Sequence, residues 1–175
     1  MPQPRHQVLL ALAFGACAAT GGAGPNLSER QASHDRLIVV HYPSNFFVFF
    51  EGEQIHLAGP RGASQLSDMY FNVKGRPASE DLNGLARTEA FCPEDLSVSV
   101  TERSHRPASC FGGLPGLERS CAYAHKATPN HLLEAWECMF VKNHHLFRIG
   151  YKMPAAVRAD VEPLFRKVLA ATEAN

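Results

Sequence analysis

The sequence predicts a small α/β domain of the α+β kind, in which an antiparallel β-sheet is flanked by helices. Two observations predict it. Apolar segments of strand length follow one another as hairpins, before and after one intervening helical segment. A segment near the C-terminus has the apolar spacing of a helix that lies on a sheet. A chain of 175 residues suits one such domain.

The first part of the domain predicts four strands. Residues 36–42 are apolar and β-branched and end before a proline. Residues 46–50 and 54–58 flank a Glu-Gly-Glu sequence, which predicts a hairpin turn. Residues 69–73 predict a further strand, which a segment with Gly and Pro ends.

A short helix and a strand are predicted next. Ser79 stands at an N-cap position, and the two acidic residues after it suit the first turn of a helix. The helix should stop before Cys92, because a proline follows that residue. Residues 96–100 alternate in polarity like a half-buried strand, and residues 104–113 are predicted to be a loop.

Three longer strands and a helix complete the domain. The strands are predicted at residues 117–125, 133–142 and 146–153. The last two meet at a turn formed by Asn143 and His144, which predicts antiparallel pairing. Residues 157–169 have helical apolar spacing. Pro163 leaves two alternatives: the helix starts near Asp160 with the proline in its first turn, or a longer helix kinks at the proline.

Three segments of this pattern carry a family resemblance. They are residues 39–46 (VVHYPSNF), 113–116 (GLPG) and 147–154 (FRIGYKMP). Together with the closing helix they resemble the Mog1/PsbP-like family, and the resemblance covers residues 36–171. It implies a Mog1/PsbP-like sandwich. Several members of that family act as accessory or interaction subunits, so the resemblance implies binding rather than one shared activity.

Composition and motifs exclude several function classes. Hydrophobic residues make up 45% of the chain, and seventeen basic residues balance seventeen acidic ones. Nonspecific nucleic-acid binding depends on excess positive charge, so no nucleic-acid partner is expected. The sequence contains no phosphate loop, dinucleotide fingerprint, Gly-x-Ser-x-Gly elbow or His-Glu-x-x-His motif. No cofactor is therefore expected.

Residues 1–16 have the three parts of a secretion signal. Arg5 lies near the start with no acidic residue beside it, residues 8–14 form an apolar run, and the small residues Gly15 and Ala16 follow. The apolar run is shorter than the roughly 20 residues that a membrane-spanning helix needs. We therefore expect export and removal of this leader.

The end of the leader resembles a bacterial lipoprotein box, in which Cys17 becomes the lipid-modified first residue. Phe14 departs from the pattern, where Leu is usual, and ordinary cleavage nearby would instead give a free periplasmic protein. The lipoprotein interpretation places the protein in the bacterial cell envelope, anchored through Cys17 and facing the periplasm, with the outer membrane favoured. Residues 17–33 are then the anchor and a flexible tether, and residues 34–175 are the single domain.

Four further cysteines, Cys92, Cys110, Cys121 and Cys138, suggest two disulfides in an exported chain. A hairpin that turns near Pro129 would place Cys121 roughly opposite Cys138. We therefore expect Cys92–Cys110 with Cys121–Cys138, and cross-pairing between these pairs is the alternative. A zinc site would need cysteines closer together in sequence, so no metal ligand is assigned.

Two aromatic features have open interpretations. The segment 46–50 (FFVFF) is either core, through burial of alternate residues, or a partner-binding edge or pocket wall. Trp136 and Phe140 share a strand face with Glu134 and Cys138, and this face is favoured as core over a groove.

The favoured function is an exported, lipid-anchored envelope protein that acts as a non-enzymatic binding or scaffolding module. Its partner would be an unknown envelope protein or a small ligand. The alternatives are a hydrolase-like enzyme whose site assembles only in three dimensions, and a metal or ligand carrier. A pocket that unites His41, His125 or Glu134 would favour the enzyme, and a filled core with a flat sheet face would favour the binding module.

Overall fold

The computed structural model describes residues 26–62, 67–77, 81–93 and 97–175. These residues form ten strands and two α-helices. The strands are β1 (Glu29–Ala32), β2 (Ile38–Tyr42), β3 (Phe47–Glu51), β4 (Gln54–Gly59), β5 (Ser67–Lys74), β6 (Val98–Ser109), β7 (Pro115–His125), β8 (Leu133–Lys142), β9 (His145–Pro154) and β10 (Glu173–Ala174). The helices are α1 (Leu82–Thr88) and α2 (Arg158–Ala171).

Seven strands form one antiparallel sheet in the order β3-β4-β5-β9-β8-β7-β6. Strands β1, β2 and β10 form a smaller antiparallel sheet in the order β1-β2-β10. The predicted fold class, an antiparallel sheet flanked by helices, is confirmed. Strands β3 and β6 are the two edges of the large sheet.

The main core lies between α2, β2 and one face of the large sheet, which we call the inner face. Helix α2 buries Val161, Phe165 and Val168 there. The phenyl ring of Phe165 contacts those of Phe46 and Tyr151, with ring centroids 6.1 and 5.7 Å apart. This apolar stripe, predicted from the sequence, therefore holds the helix on the sheet.

Helix α1 packs on the opposite face of the large sheet, which we call the outer face. Leu82 and Leu85 of α1 pack against a cluster made by Leu117, Met139 and Leu146. The predicted N-cap is wrong. The cap is Asp81, whose carboxylate accepts hydrogen bonds from the backbone N–H groups of Asn83 and Gly84 at 3.1 and 3.2 Å. Ser79 lies outside the described residues.

Strand β6 and helix α2 differ from their predicted bounds. Residues 104–109 belong to β6 and not to a loop, because β6 pairs with β7 along its whole length. As an edge strand it is mostly exposed, so it lacks an apolar alternation, and an edge strand tolerates Pro107. Helix α2 begins at Arg158 and continues through Pro163, which lies in its second turn. The alternative in which the helix starts near Asp160 is therefore wrong, and the longer helix is correct.

The N-terminal predictions are partly outside the described residues. The leader 1–16, Cys17 and the first part of the tether all fall there. Residues 29–32, also assigned to the tether, instead form β1, which pairs with β2. Within the described ranges, no helix is long and apolar enough to cross a membrane.

The cysteines pair as Cys92–Cys121 and Cys110–Cys138, with Cα atoms 6.1 and 6.0 Å apart. The expected pairing is therefore wrong, and cross-pairing is correct. The β7–β8 register places Cys121 opposite Ala135. Since Ala135 and Cys138 are an odd number of residues apart on one strand, Cys121 and Cys138 point to opposite faces of the sheet.

Candidate functional site

A row of aligned residues crosses the outer face of the large sheet. From edge strand β3 to β7, the strand register places these residues opposite one another: Phe49, His56, Tyr70, Gly150, Glu137 and Arg119. Most of these residues are polar or aromatic with a polar group, whereas an outer face covered by a helix would be expected to be apolar. The outer face is therefore where chemistry or binding should be sought.

At the centre of this row, Glu137 is completely buried, with 0% of its surface exposed. Its carboxylate accepts a hydrogen bond from the Tyr70 hydroxyl at 2.7 Å and one from the Arg148 Nε at 2.9 Å. The Arg119 guanidinium donates to the other carboxylate oxygen, with Nε at 3.1 Å and Nη2 also bonded. The buried charge is thus compensated by two cations and a phenol.

The same two arginines hold the segment after α1 against the sheet. Arg119 Nη1 donates to the carbonyl oxygens of Ala86 and Glu89 at 3.0 and 2.9 Å. Arg148 donates to the Glu89 carboxylate at 2.7 Å and to the Ala90 carbonyl at 2.9 Å. The donors and acceptors of this cluster are thus engaged with one another, and we call the cluster of Tyr70, Arg119, Glu137 and Arg148 the clamp.

The pKa shifts of Tyr70, Glu89 and Arg148 agree with a cluster whose polar groups hold one another in place. Burial, followed by the nearby Glu137 carboxylate, raises the pKa of Tyr70 well above its ordinary value, so its hydroxyl stays a donor. Burial would raise the pKa of Glu89, but the hydrogen bond from Lys74 and the positive Arg148 outweigh it and lower that pKa. Burial opposes the charge of Arg148, yet Glu137 raises its pKa overall. Each group is therefore fixed in its ordinary charged or neutral form.

Next to the clamp, a cleft of about 570 Å³ opens between the segment after α1 and strand β6. Arg87, Arg103, His105 and Arg119 are among its lining residues. The Ser104 and Ser120 hydroxyls, which also line it, hydrogen-bond to each other at 2.6 Å rather than to a histidine. Glu89 also lines the cleft, which thus contains basic groups and one carboxylate. Its serines are not arranged as a nucleophile with a base.

His56, further along the row, is held on both ring nitrogens. Its Nδ1 contacts the Asp68 carboxylate at 2.9 Å, and its Nε2 contacts the Gln54 side-chain amide at 2.8 Å. The imidazole stacks on Phe49 with centroids 4.7 Å apart. Such a histidine is oriented by its neighbours, and its role in the structure is to support the aromatic ring of the edge strand.

Strand β3 carries three exposed phenylalanines, which we call the aromatic edge: Phe47, Phe49 and Phe50, with 47%, 45% and 50% of their surfaces exposed. Phe46 before them is buried in the main core. Core burial therefore explains Phe46, and the other three phenylalanines are exposed at the edge of the sheet. The Arg61 guanidinium lies over the Phe47 ring at 4.4 Å.

The inner face contains a second cleft, of about 340 Å³, beside the C-terminal half of α2. Trp136 lines it and is half-buried, stacked on Tyr151 at 5.4 Å and covered by the Arg166 guanidinium at 5.8 Å. Cys138 and Phe140 also line this cleft and are buried. This face of β8, which the sequence predicts to be core, is therefore buried at Cys138 and Phe140. At Trp136 the core gives way to a groove.

The residues proposed for an enzyme site do not come together. His41 lies on the small sheet and contacts the Glu173 carboxylate at 3.0 Å. Glu134 accepts a hydrogen bond from Arg158 at 2.8 Å, and His125 is exposed at the end of β7. In the part of the chain that the structure describes, no group of three or more His, Cys, Asp or Glu residues could hold a metal ion.

Sequence reasoning missed the Glu137 clamp. Glu134 and Glu137 lie on opposite faces of β8, so their spacing does not indicate a paired site. A signal was present: Arg119, Glu137 and Arg148 lie within three strands that follow one another in the predicted meander. Charged residues on central strands are rarely buried unless paired, so they should have been expected to meet.

No family model matches the chain, and no curated protein matches it. A crystal structure from Bacteroides thetaiotaomicron aligns with a TM-score of 0.55 at 13% identity, over 86% of this chain and 49% of that one, so this chain spans about half its length. The solution structure of cyanobacterial PsbP (CyanoP) from Synechocystis aligns with a TM-score of 0.51 at 11% identity, over 92% of this chain and 100% of that one.

The Saccharomyces cerevisiae Ran-binding protein Mog1p aligns with a TM-score of 0.49 at 10% identity, over 83% of this chain and 94% of that one. The likeness to CyanoP, together with the sheet order and the closing helix, confirms the expected Mog1/PsbP-like fold. At these identities the likeness concerns the fold alone.

Proposed function

We propose that this chain is an exported, lipid-anchored protein of the bacterial cell envelope that acts as a non-enzymatic binding or scaffolding module. The observation that carries the proposal is the aromatic edge. Phe47, Phe49 and Phe50 are each about half exposed on an edge strand. Phe47 and Phe49 project to the outer face of the sheet and Phe50 to the inner face. Soluble proteins rarely leave several large apolar side chains of one edge strand in water unless a partner covers them.

The two edges of the large sheet differ in a way that supports binding at β3. Strand β6 has a register shift between residues 100 and 102, a proline at Pro107, and the charged Arg103 and Arg106. These are the features by which proteins prevent strand addition at an edge. Strand β3 carries none of them in its first four residues, FVFF. Its outward N–H and C=O groups are therefore a template for another strand.

The polar groups of the outer face favour binding over catalysis. Glu137 is saturated by Tyr70, Arg119 and Arg148, and His56 is engaged on both ring nitrogens. A general acid or base needs a proton that it can exchange with a substrate within hydrogen-bond reach. The accessory and interaction subunits of the Mog1/PsbP-like family support the same conclusion by analogy of fold.

The envelope location rests on the sequence and on the disulfides. The leader 1–16 has the parts of a secretion signal, and Cys17 follows it in a lipoprotein-like box. The pairs Cys92–Cys121 and Cys110–Cys138 are arranged as disulfides, which persist in oxidising compartments such as the periplasm. Both observations support a chain that folds after export.

Photo-crosslinking in the native cell envelope tests the proposal. A photoreactive residue replaces Phe50 on β3, and a matched control replaces the exposed Ser99 on the opposite edge, β6. We expect a discrete crosslinked product from position 50 and none from position 99. Equal products, or no product, from both positions would refute binding at the aromatic edge. The intact mass of the same sample tests lipid on Cys17.

A further inference from the structure

We propose that the aromatic edge binds the same edge of a second copy of this chain, antiparallel, so that two large sheets become one across a two-fold axis. This inference rests on the proposed function, because it names the partner of that edge. A two-fold contact requires a surface that is complementary to itself. The backbone groups of β3 and the charged side chains on and beside this strand both meet this requirement.

The backbone of β3 sets which groups are free to pair. A two-residue turn, Gly52-Glu53, joins β3 to β4 and makes Glu51 and Gln54 a directly opposed pair that exchanges hydrogen bonds. Because such pairs alternate along an antiparallel ladder, the N–H and C=O groups of Val48 and Phe50 point away from β4. In the described part of the chain, β3 pairs with β4 alone.

The outward backbone groups of Val48 and Phe50 fix the register in which two copies of β3 can pair. When Phe49 lies opposite Phe49 of the second copy, Val48 lies opposite Phe50 of that copy, and the reverse holds by symmetry. Both positions are the ones whose backbone groups point outward, so each forms a hydrogen-bonded pair with the other. A register shifted by one residue would place an outward group opposite an inward one and lose these bonds.

The side chains agree with the same register. Phe49 meets its own symmetry mate in a non-hydrogen-bonded pair, where side chains approach closely and aromatic pairs are favourable. Phe47 lies opposite Glu51 of the second copy. The Arg61 guanidinium sits over Phe47 at 4.4 Å. The Glu51 carboxylate lies 3.5 Å from His56 Nε2 of its own chain, and the Glu51 side chain is still 81% exposed. Each copy therefore offers a cation where the other offers a carboxylate, twice per dimer.

The interface is small, because each copy contributes one five-residue strand. Contacts of this size lie at the weak end of specific interfaces, so we expect a dissociation constant in the micromolar range. Anchoring of both copies to one membrane surface would raise their effective concentration and favour pairing there. Self-association should therefore be measured on the mature lipidated chain over a wide concentration range.

Charge reversal with sedimentation velocity tests the inference. The mature protein, purified in detergent, should show a concentration-dependent dimer. Arg61→Glu and Glu51→Arg should each weaken dimerisation about tenfold or more, because each places like charges together. The double variant exchanges the charges and should restore the dimer. Lys126→Glu, at the exposed far end of the β7–β8 hairpin, changes the net charge by as much as Arg61→Glu does. It should have no effect on dimerisation.

The outcomes separate this inference from the proposed function. A protein that stays monomeric at every concentration, or a double variant that is no better than the single ones, overturns self-pairing. If position 50 then still crosslinks in the envelope, to a different protein, the aromatic edge binds a partner but not its own copy. If position 50 crosslinks to nothing, both proposals fail. Unchanged thermal unfolding of each variant shows that folding is intact.

Discussion

Replacement of Gly150 by alanine tests whether the outer-face clamp holds the centre of the sheet. Gly150 lies in β9 between Tyr70 and Glu137 in the aligned row. A Cβ atom there would lie 2.6 Å from the Tyr70 hydroxyl oxygen and 2.8 Å from its Cζ, and would also meet the backbone carbonyl of Trp136. The absence of a side chain at this position is what lets the phenol cross β9 and reach Glu137.

Gly150→Ala should lower the free energy of unfolding for two reasons. If Tyr70 moves away, the fully buried Glu137 carboxylate loses a hydrogen bond, which costs about 1–3 kcal/mol. The contact with the Trp136 carbonyl cannot be relieved by a side-chain rotation, and such overpacking costs about 1–3 kcal/mol. We expect Gly150→Ala to lower the free energy of unfolding by about 2–6 kcal/mol. That is a large part of the roughly 5–15 kcal/mol of a typical domain.

Urea unfolding of the oxidised protein measures this effect. Tyr70→Phe removes the hydroxyl alone and should cost about 1–3 kcal/mol. Gly75→Ala is the matched control, because a Cβ atom at Gly75 would meet nothing within 4 Å, and it should change stability by about 0.5 kcal/mol or less. If Gly150→Ala is as mild as Gly75→Ala, the reasoning about the clamp is wrong.

Two further predictions concern acid stability and the disulfides. Burial alone would raise the pKa of Glu89, but neighbouring cations lower it below 4.5, so its stabilisation is present above about pH 4.5 and is lost as the pH falls through the folded-state value. As the pH falls below about 4.5, the native protein should thus lose stability more steeply than Glu89→Gln in urea titrations. Equal slopes would contradict this. Non-reducing peptide mapping should recover Cys92–Cys121 and Cys110–Cys138, and any other connectivity would contradict the structure.

The parts of the fold that were predictable are those encoded by neighbouring residues. The β3–β4 hairpin follows from a glycine between two apolar runs, and the β8–β9 turn follows from Asn143 and His144, which adopt φ values of 50° and 63° as a tight hairpin turn requires. The stripe of α2 likewise depends on spacing within one helix. Local chemistry was therefore sufficient for these elements.

The parts that were not predictable depend on register between distant strands. Cys121 pairs with Cys92 and not with Cys138 because Cys121 on β7 and Cys138 on β8 point to opposite faces of the sheet, and a one-residue change of the β7–β8 register would place them on the same face. The burial of Glu137 depends on Tyr70, 67 residues away, reaching across β9. Spacing along the chain does not show which residues of distant strands lie together. Only the charged residues within central strands indicate that Arg119, Glu137 and Arg148 could pair.

Hydrogen exchange at the amides of Val48 and Phe50 tests the aromatic edge as a binding surface most directly. These two amides point away from β4, so a partner strand would protect them and nothing in β4 does. We predict that both exchange at least about tenfold more slowly in native envelope preparations than in dilute purified protein, because pairing removes them from water. Equal exchange rates in the two samples would contradict a partner strand at this edge.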